Sequence, residues 1–389
     1  MYPLFRRSIS GVYEKDKDVR PIYFLDMKAM ILDSLGDVKP PHAPLKLVQH
    51  PEPTLTPGEV LLRVTGCGGC HTELDEIEGR TPPPHLPVIL GHQVVGVVEG
   101  LRSLREAPPR GPTLELPVEA QRQETLDSTI KIGQRVGVAW IASACGHCQY
   151  CLSGRENLCP EFKATGRDID GGYAEYMKVR ADFVHPIPDS LSDSEAAPLL
   201  CAGAVGYRAL KLCNLHDGQS LGLMGFGGSN HIVLKAAKHK FPNSQIFVFS
   251  RNPQEREFAL SLGAAWAGAI DESPPEVLNA VIDTTPVWGP ISEALKRLKP
   301  GGRLVINAIR KVEVDKEVLM KLDYPSQLWM EKEIKSVANV TRQDVREFLQ
   351  LAAEANIKPE FQEYELEDAN QALLEMKQGK IRGAKVLRI

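Results

Sequence analysis

No stretch of this 389-residue chain approaches the run of about 18 apolar residues that a membrane-spanning helix needs. No charge excess is present either: the formal net charge of −4 leaves no basic footprint for nucleic acid or for an anionic membrane. The first 26 residues, MYPLFRRSISGVYEKDKDVRPIYFLD, lack the apolar core and small-residue cleavage site of a signal peptide. They read as an extension ahead of a first strand, MKAMIL at 27–32. Internal repeats and low-complexity tracts are missing too, so a solenoid or array is not expected. What remains is ordinary soluble composition, 43% apolar and 25% charged, in a chain too long for one core. Two domains are expected.

The eight cysteines are the informative residues. Cys145, Cys148, Cys151 and Cys159 follow C-x2-C-x2-C-x7-C, a spacing suited to a closed tetrahedral zinc site that fixes backbone and leaves no position for substrate. A looser soft set surrounds it, with Cys70 and His92 upstream and Cys201 downstream. A Cys2His set leaves a fourth position open for water or substrate. Cys67 mimics a C-x2-C pair with Cys70 but reads as a packed thiol, and Cys213 as helix packing. With no export signal, metal binding in a reducing cytoplasm is expected in place of disulfides.

Short β-like runs separated by Pro and Gly fill 27–100: Glu59–Thr65, Val88–Leu90 and Val94–Val98. Residues 101–130 carry Pro108, Pro109, Pro112, Pro117 and five acidic residues, which suits a surface insertion. Strand signals resume at Arg135–Trp140. From about residue 200 the pattern alternates. Strands are expected at 220–224, 245–249, 278–282 and 303–306, and helices at 229–239, 253–262 and 291–298. Pro300-Gly301-Gly302 reads as a turn. Such alternation indicates an α/β fold, a doubly wound parallel sheet of Rossmann type. Two helical stretches and a terminal strand, AKVLRI, close the chain.

Gly225-Phe226-Gly227-Gly228-Ser229-Asn230 lies between the 220–224 strand and the next helix. Glycine turns there let amides and a helix N-terminus approach a pyrophosphate. Asn230 stands where a third small residue is usual. The second strand ends Phe249-Ser250-Arg251 without a carboxylate for a ribose hydroxyl. Ser250 and Arg251 suit the 2′-phosphate of NADP(H), since guanidinium pairs phosphate through two N–H groups.

Gly69-Cys70-His71-Thr72-Glu73-Leu74-Asp75, Gly91-His92-Gln93 and Leu199-Leu200-Cys201-Ala202-Gly203 together resemble the zinc-dependent alcohol dehydrogenases of the medium-chain dehydrogenase/reductase superfamily. The likeness spans about 27–389 apart from 101–130 and is closest to the cinnamyl-alcohol-dehydrogenase-like branch. It implies a mainly β GroES-like catalytic domain at 27–200, a cofactor domain at 201–338 and a return to the catalytic domain at 339–389. It also implies a catalytic zinc on Cys70, His92 and Cys201, hence two Zn2+ per chain with the four-cysteine site. By the same resemblance Thr72 starts a proton relay and His71 lies near the pyrophosphate. A small-molecule alcohol or aldehyde is the implied partner, in a cytoplasmic homodimer or homotetramer. Trp140 and apolar neighbours are candidates for lining the substrate pocket.

Two positions depart from the family pattern. Gln93 replaces a frequent Glu beside the ligand His, and Asp75 replaces a His that passes the proton to solvent. Altered pH dependence or ligand exchange is expected, with the relay leaving through water. A polyol or sugar dehydrogenase of the same fold is the nearest rival, although a Cys201 ligand with Gln93 argues against it. A zinc-ribbon interaction protein would leave Cys70, His92 and the alternating half unexplained.

Overall fold

The computed structural model describes residues 26–102, 130–379 and 383–389. Most of the expected insertion and all but the last residue of the 1–26 extension lie outside the described residues.

The first half is mostly β. Strands β1 (Asp26–Leu32), β2 (Leu45–Pro51) and β4 (Val88–Ile89) form one small sheet. A larger sheet orders β10 (Val184–Pro186), β6 (Arg135–Val138), β5 (Gln93–Arg102), β3 (Glu59–Gly69), β18 (Ala384–Arg388) and β17 (Phe361–Glu365), with β9 (Tyr176–Arg180) also on β3. The tail thus returns to the first half: β18 pairs antiparallel with β3, Lys385 opposite Gly69. Alternation explains β3, where Val60, Leu62 and Val64 are buried while Arg63 is exposed. This strand runs four residues past its expected end, through two register shifts. The expected 135–140 strand instead breaks at Ala139, and β7 (Ile141–Ser143) turns away to pair with β8 (Lys163–Ala164).

The second half is the expected parallel sheet. Its order is β13 (Trp266–Gly268), β12 (Ile246–Phe249), β11 (Leu221–Met224), β14 (Leu278–Asp283), β15 (Leu298–Ile306), β16 (Glu333–Ser336). Chain order reverses between β11 and β14, which leaves a crevice at their carboxyl ends. Pro300-Gly301-Gly302 is not the expected turn between helix and strand. It bulges within β15, where Leu298 faces Leu278 but Arg303 faces Ala280. Gly301 permits this with φ of +69°.

Helices α1 (His71–Ile77) and α2 (Gln149–Leu152) belong to the first half. Then come α3 (Asp193–Pro198), α4 (Ala204–Leu212), α5 (Asn230–Lys240), α6 (Pro253–Ser261), α7 (Gly289–Arg297) and α8 (Tyr324–Gln327). Helices α9 (Arg342–Glu354) and α10 (Ala369–Lys377) follow β16. Local rules place their starts: Ser192 caps α3 with Glu195 in a reciprocal box, Thr341 caps α9 with Asp344, and Asn252-Pro253 opens α6.

One packing constraint positions the site. Segment 166–173 lies on the turn before β5, with Gly171, Gly172 and Tyr173 donating to the carbonyls of Ile89, Gly91 and Leu90. A Cβ on Gly171 would sit 2.1 Å from the Gly91 oxygen and 2.7 Å from that of Leu90. Backbone cannot retreat as a side chain would. Gly171→Ala should therefore cost about 1–3 kcal/mol, read from the urea midpoint. Gly227→Ala, whose Cβ meets nothing within 4 Å, should shift it by less than about 0.5 kcal/mol. Equal midpoints for the two variants would contradict this packing.

Candidate metal centre and nucleotide site

Three distant segments meet at the first centre. Cys70 is the N-cap of α1, His92 follows the Gly91 turn, and Cys201 sits in a π-helical turn, Leu199–Gly203, between α3 and α4. Such wide turns re-aim a side chain from the ordinary helical face. The ligand atoms of Cys70, His92 and Cys201 all lie within 4.8 Å of one another. His92 Nε2 is 3.2 Å from Cys201 Sγ.

Glu73 organises this set, and the sequence reading did not assign it a role. One oxygen accepts from the Cys70 backbone N–H at 2.8 Å, and the other lies 2.6 Å from His92 Nδ1. Both side chains are buried. This close polar contact at Nδ1 leaves Nε2 to face the sulfurs, the position of an outer carboxylate that orients a ligand histidine. The signal was present: Glu three residues after an N-cap position is the capping-box pattern. Contact with Cys201, and then with His92, holds the Cys70 thiol well below its ordinary value despite burial. Burial disfavours charge on His92, yet Glu73 and Cys70 hold its pKa well above the ordinary imidazole value. Two sulfurs and one imidazole nitrogen converge here beside a buried carboxylate, and these donor types fit zinc.

Thr72 Oγ1 lies 3.5 Å from Cys70 Sγ. His71 is exposed at the start of α1. Gln93 is buried with its amide against Gly68, whose Cβ would meet Gln93 Oε1 at 2.8 Å. Asp75 is held by Arg80 and Arg310. Trp140 packs edge-on to His92, ring centroids 6.3 Å apart, and against Phe162. Cys67 and Cys213 are buried thiols pushed up by burial, in keeping with packing roles.

Cys145, Cys148, Cys151 and Cys159 form a second cluster, again with all ligand atoms within 4.8 Å. The eight cysteines are all free. Backbone N–H groups point at the sulfurs: Gly146 to Cys151 at 3.2 Å, Cys148 to Cys145 and Cys145 to Cys159 at 3.4 Å, Glu161 to Cys159 at 3.3 Å. Donors of this kind favour thiolate. The Cys151 backbone N–H, foremost, brings Cys148 down to about 7.

At the sheet crevice, Gly225 takes φ of +77°, while Gly227 and Gly228 have open space where a Cβ would be. That opening fits a close-lying pyrophosphate. Asn230 is a clamp: its Nδ2 donates to the Gly225 oxygen at 2.8 Å, the Met224 oxygen at 3.2 Å and Thr284 Oγ1 at 3.1 Å. Ser229 donates its hydroxyl to the Ala202 carbonyl at 2.8 Å. The Ser250 hydroxyl likewise donates to Glu255 at 2.5 Å. Arg251 is exposed at the crevice edge, and Arg256, absent from the sequence reading, reaches the Ser250 carbonyl at 2.8 Å.

Glu73→Gln keeps the volume but weakens the hold on His92. Affinity for zinc at the first centre should fall about 10–100-fold, measured by chelator competition, while the four-cysteine cluster keeps its metal. Unchanged affinity would mean His92 is oriented by packing alone.

Residues 56–189 match the family model described as the alcohol dehydrogenase GroES-like domain. The chain is 41% identical over 346 residues to a probable alcohol dehydrogenase AdhA of Mycobacterium tuberculosis, covering 89% of this chain and 93% of the relative. Among solved structures it superposes on CAD from Helicobacter pylori complexed with NADP(H), TM-score 0.76, 22% identity, covering 94% of this chain and 99% of that one. A cobalt and zinc bound thermostable alcohol dehydrogenase from Pyrobaculum aerophilum superposes with TM-score 0.75 at 24% identity, covering 94% and 100%. The paired cysteine sites, the parallel sheet and this long relative converge: the chain belongs to the zinc-type alcohol dehydrogenases of the medium-chain dehydrogenase/reductase superfamily, NAD(P)-linked oxidoreductases.

Proposed function

We propose that this protein interconverts primary alcohols and aldehydes with NADP(H) preferred, using one zinc at Cys70, His92 and Cys201 and a structural zinc at the four cysteines. The observation that carries the reading is the Cys2His set, within 4.8 Å, with a hydroxyl, Thr72, 3.5 Å from one of its sulfurs.

Zinc bound there supplies Lewis acidity that lowers an alcohol's pKa and polarises a carbonyl, and the nicotinamide accepts or gives hydride. The chain supplies the rest. Glu73 orients His92. Thr72 takes or returns the hydroxyl proton, which leaves through water because Asp75 is engaged by two guanidiniums. Trp140 forms an apolar wall beside His92 that helps keep the pocket dry. Gly225, Gly227, Gly228 and the N-terminus of α5 receive the pyrophosphate, with exposed His71 near it as a further hydrogen-bond donor. Ser229 and Ser250 shape the backbone there through their hydroxyls. Arg251 pairs the 2′-phosphate.

The domain division in this reading is 27–200 and 339–389 for catalysis and 201–338 for the cofactor. We place the protein in the cytoplasm; among the described residues no helix is long and apolar enough to cross a membrane. A homodimer or homotetramer fits the outer edge of β16, whose four residues are all exposed. Exposed Met320, Trp329 and Met330 lie in the chain leading to it.

Three measurements test the reading. Metal analysis should give about two zinc ions per chain. Cys70→Ser should abolish turnover in a folded protein, while Cys148→Ser should lower stability, since structural zinc is coupled to folding. Full activity without zinc would refute the assignment.

Initial rates over a panel of aldehydes should favour NADPH over NADH, and Arg251→Asp should reduce NADPH use more than NADH use. Equal losses, or a wild-type preference for NADH, would remove Arg251 from the phosphate site. Thr72→Val should lower turnover roughly 10²–10⁴-fold with cofactor affinity little changed. Near-normal turnover would exclude the hydroxyl from the proton path.

A further inference from the structure

The mechanism gives Asp75 no chemical task, yet this carboxylate is one of the most heavily engaged groups beside the cleft. It is almost fully buried on α1, three residues past Thr72 and five past Cys70. Arg310, from the cofactor half, grips it with two nitrogens: Nε to Oδ2 at 3.0 Å and a terminal NH2 to Oδ1 at 2.9 Å. Arg80, from the turn after α1, adds a contact to Oδ1 at 2.5 Å. Its backbone carbonyl accepts from Arg80 and Thr81. Two-pronged guanidinium–carboxylate contacts fix geometry as well as charge.

Arg310 is itself firmly mounted. It lies just after β15, in a segment tied to the crevice edge of the sheet. Asn307 donates its N–H to the Asp283 carbonyl at 2.7 Å, and Val312 donates to Pro286 at 2.7 Å. Lys311, the next residue, is buried against the Asp283 carboxylate and donates to the carbonyls of Thr285 at 2.7 Å and Val287 at 3.1 Å. The segment is therefore part of the carboxyl edge of the parallel sheet, where a cofactor would lie. Arg310 reaches from that edge to the helix that carries Cys70 and Thr72.

We propose that Asp75 and Arg310 form an interdomain strut that sets the spacing between helix α1 and the cofactor edge of the sheet, making both positioning residues for hydride transfer. The inference rests on the alcohol dehydrogenase reading for its consequence but not for its geometry. Hydride transfer needs donor and acceptor carbons within a few ångströms, about 3–3.5 Å in a near-attack arrangement. The two parts that hold them are also joined through α4 and α9, where Tyr207 bonds Glu347 and Arg208 pairs with Asp344. The contact of Asp75 with Arg310, however, is directional and reaches from the cofactor edge to α1 itself, so it bears on that distance. Arg80 serves as the internal contrast, because it pairs with the same carboxylate without leaving the catalytic half.

The test compares Arg310→Met, Arg80→Met, Asp75→Asn and the double variant Asp75→Asn/Arg310→Met in the full zinc-loaded chain. Amide hydrogen exchange without cofactor reads the strut directly. Arg310→Met should speed exchange in both α1 and 307–312, whereas Arg80→Met should affect α1 and its following turn alone. Stopped-flow fluorescence then reads dissociation of NADPH or NADH, whichever binds. Arg310→Met should raise that rate roughly tenfold, the scale of losing one charge-assisted contact, and Arg80→Met should leave it within about twofold. Single-turnover hydride transfer should fall in parallel. The double variant should be no worse than Asp75→Asn, because one contact is lost in both. Exchange confined to one half in Arg310→Met, equal cofactor release in the two arginine variants, or additive losses would each overturn the strut. A wild-type chain with no alcohol or aldehyde turnover would refute the functional reading and still leave the exchange result to decide the strut.

Discussion

The imidazole of His92 has two nitrogens, and the Glu73 carboxylate holds one of them at 2.6 Å. Everything else at the centre depends on that choice. It fixes the ring plane, turns Nε2 toward Cys201 and Cys70, and links β5 to the first turn of α1. The contact forms only because the turn before His92 is clamped by segment 166–173, where glycine backbone presses on glycine backbone. A rigid second layer of this sort is what keeps a metal's ligands within the tolerance that catalysis requires. The π-turn at Leu199–Gly203, between α3 and α4, supplies the remaining sulfur. The candidate catalytic ligand set is thus assembled from three separate segments of the chain.

The nucleotide turn, the Cys201 turn and the returning tail are joined by specific contacts. The Ser229 hydroxyl at the nucleotide turn donates to Ala202, next to Cys201, so the phosphate-facing turn and the metal-facing turn share one hydrogen bond. Gly206 on α4 lets α5 approach closely, since a Cβ there would meet Val233 at 2.5 Å and the Ser229 hydroxyl at 2.8 Å. Tyr207 and Arg208 on α4 then bond Glu347 and Asp344 on α9. A cofactor bound at the crevice, as proposed, would act on a turn already coupled to a candidate zinc ligand.

Much of this was legible in the sequence because it is local. Alternation gave β3 and the parallel strands, glycine spacing pointed to the turn after β11, and cysteine spacing located the four-cysteine cluster. Cys70, His92 and Cys201, by contrast, were joined as one ligand set by the family resemblance. What escaped was set by tertiary geometry. The Ser250 hydroxyl, expected to suit a 2′-phosphate, also finds an acceptor within the folded chain, Glu255, as the Ser229 hydroxyl finds Ala202. Asn230 read as a defect in a glycine pattern; buried, its amide ties the turn to Thr284 and so does the work of close packing with hydrogen bonds. The Pro300-Gly301-Gly302 turn became a bulge because β14 continues beside it. No local rule points from Arg310 to Asp75, 235 residues apart.

The two departures from the family pattern acquire a physical account together. Helix α1 carries Glu73 and, one turn on, Glu76, which is 1% exposed with neither oxygen hydrogen-bonded among the described residues. Burial first, and then Glu73, push the Glu76 carboxyl well above its ordinary value. Glu73 and the Cys70 thiol, which is held well below its ordinary value, already put negative charge beside His92. A further carboxylate at position 93 would be a like charge in a low-dielectric site. Neutral Gln93, buried beside His92, avoids that repulsion. Asp75 would add another anion at the rim, but Arg80 and Arg310 cancel it. The pattern is one of charge balance around a single cation site, with each substitution tolerated because a neighbour compensates.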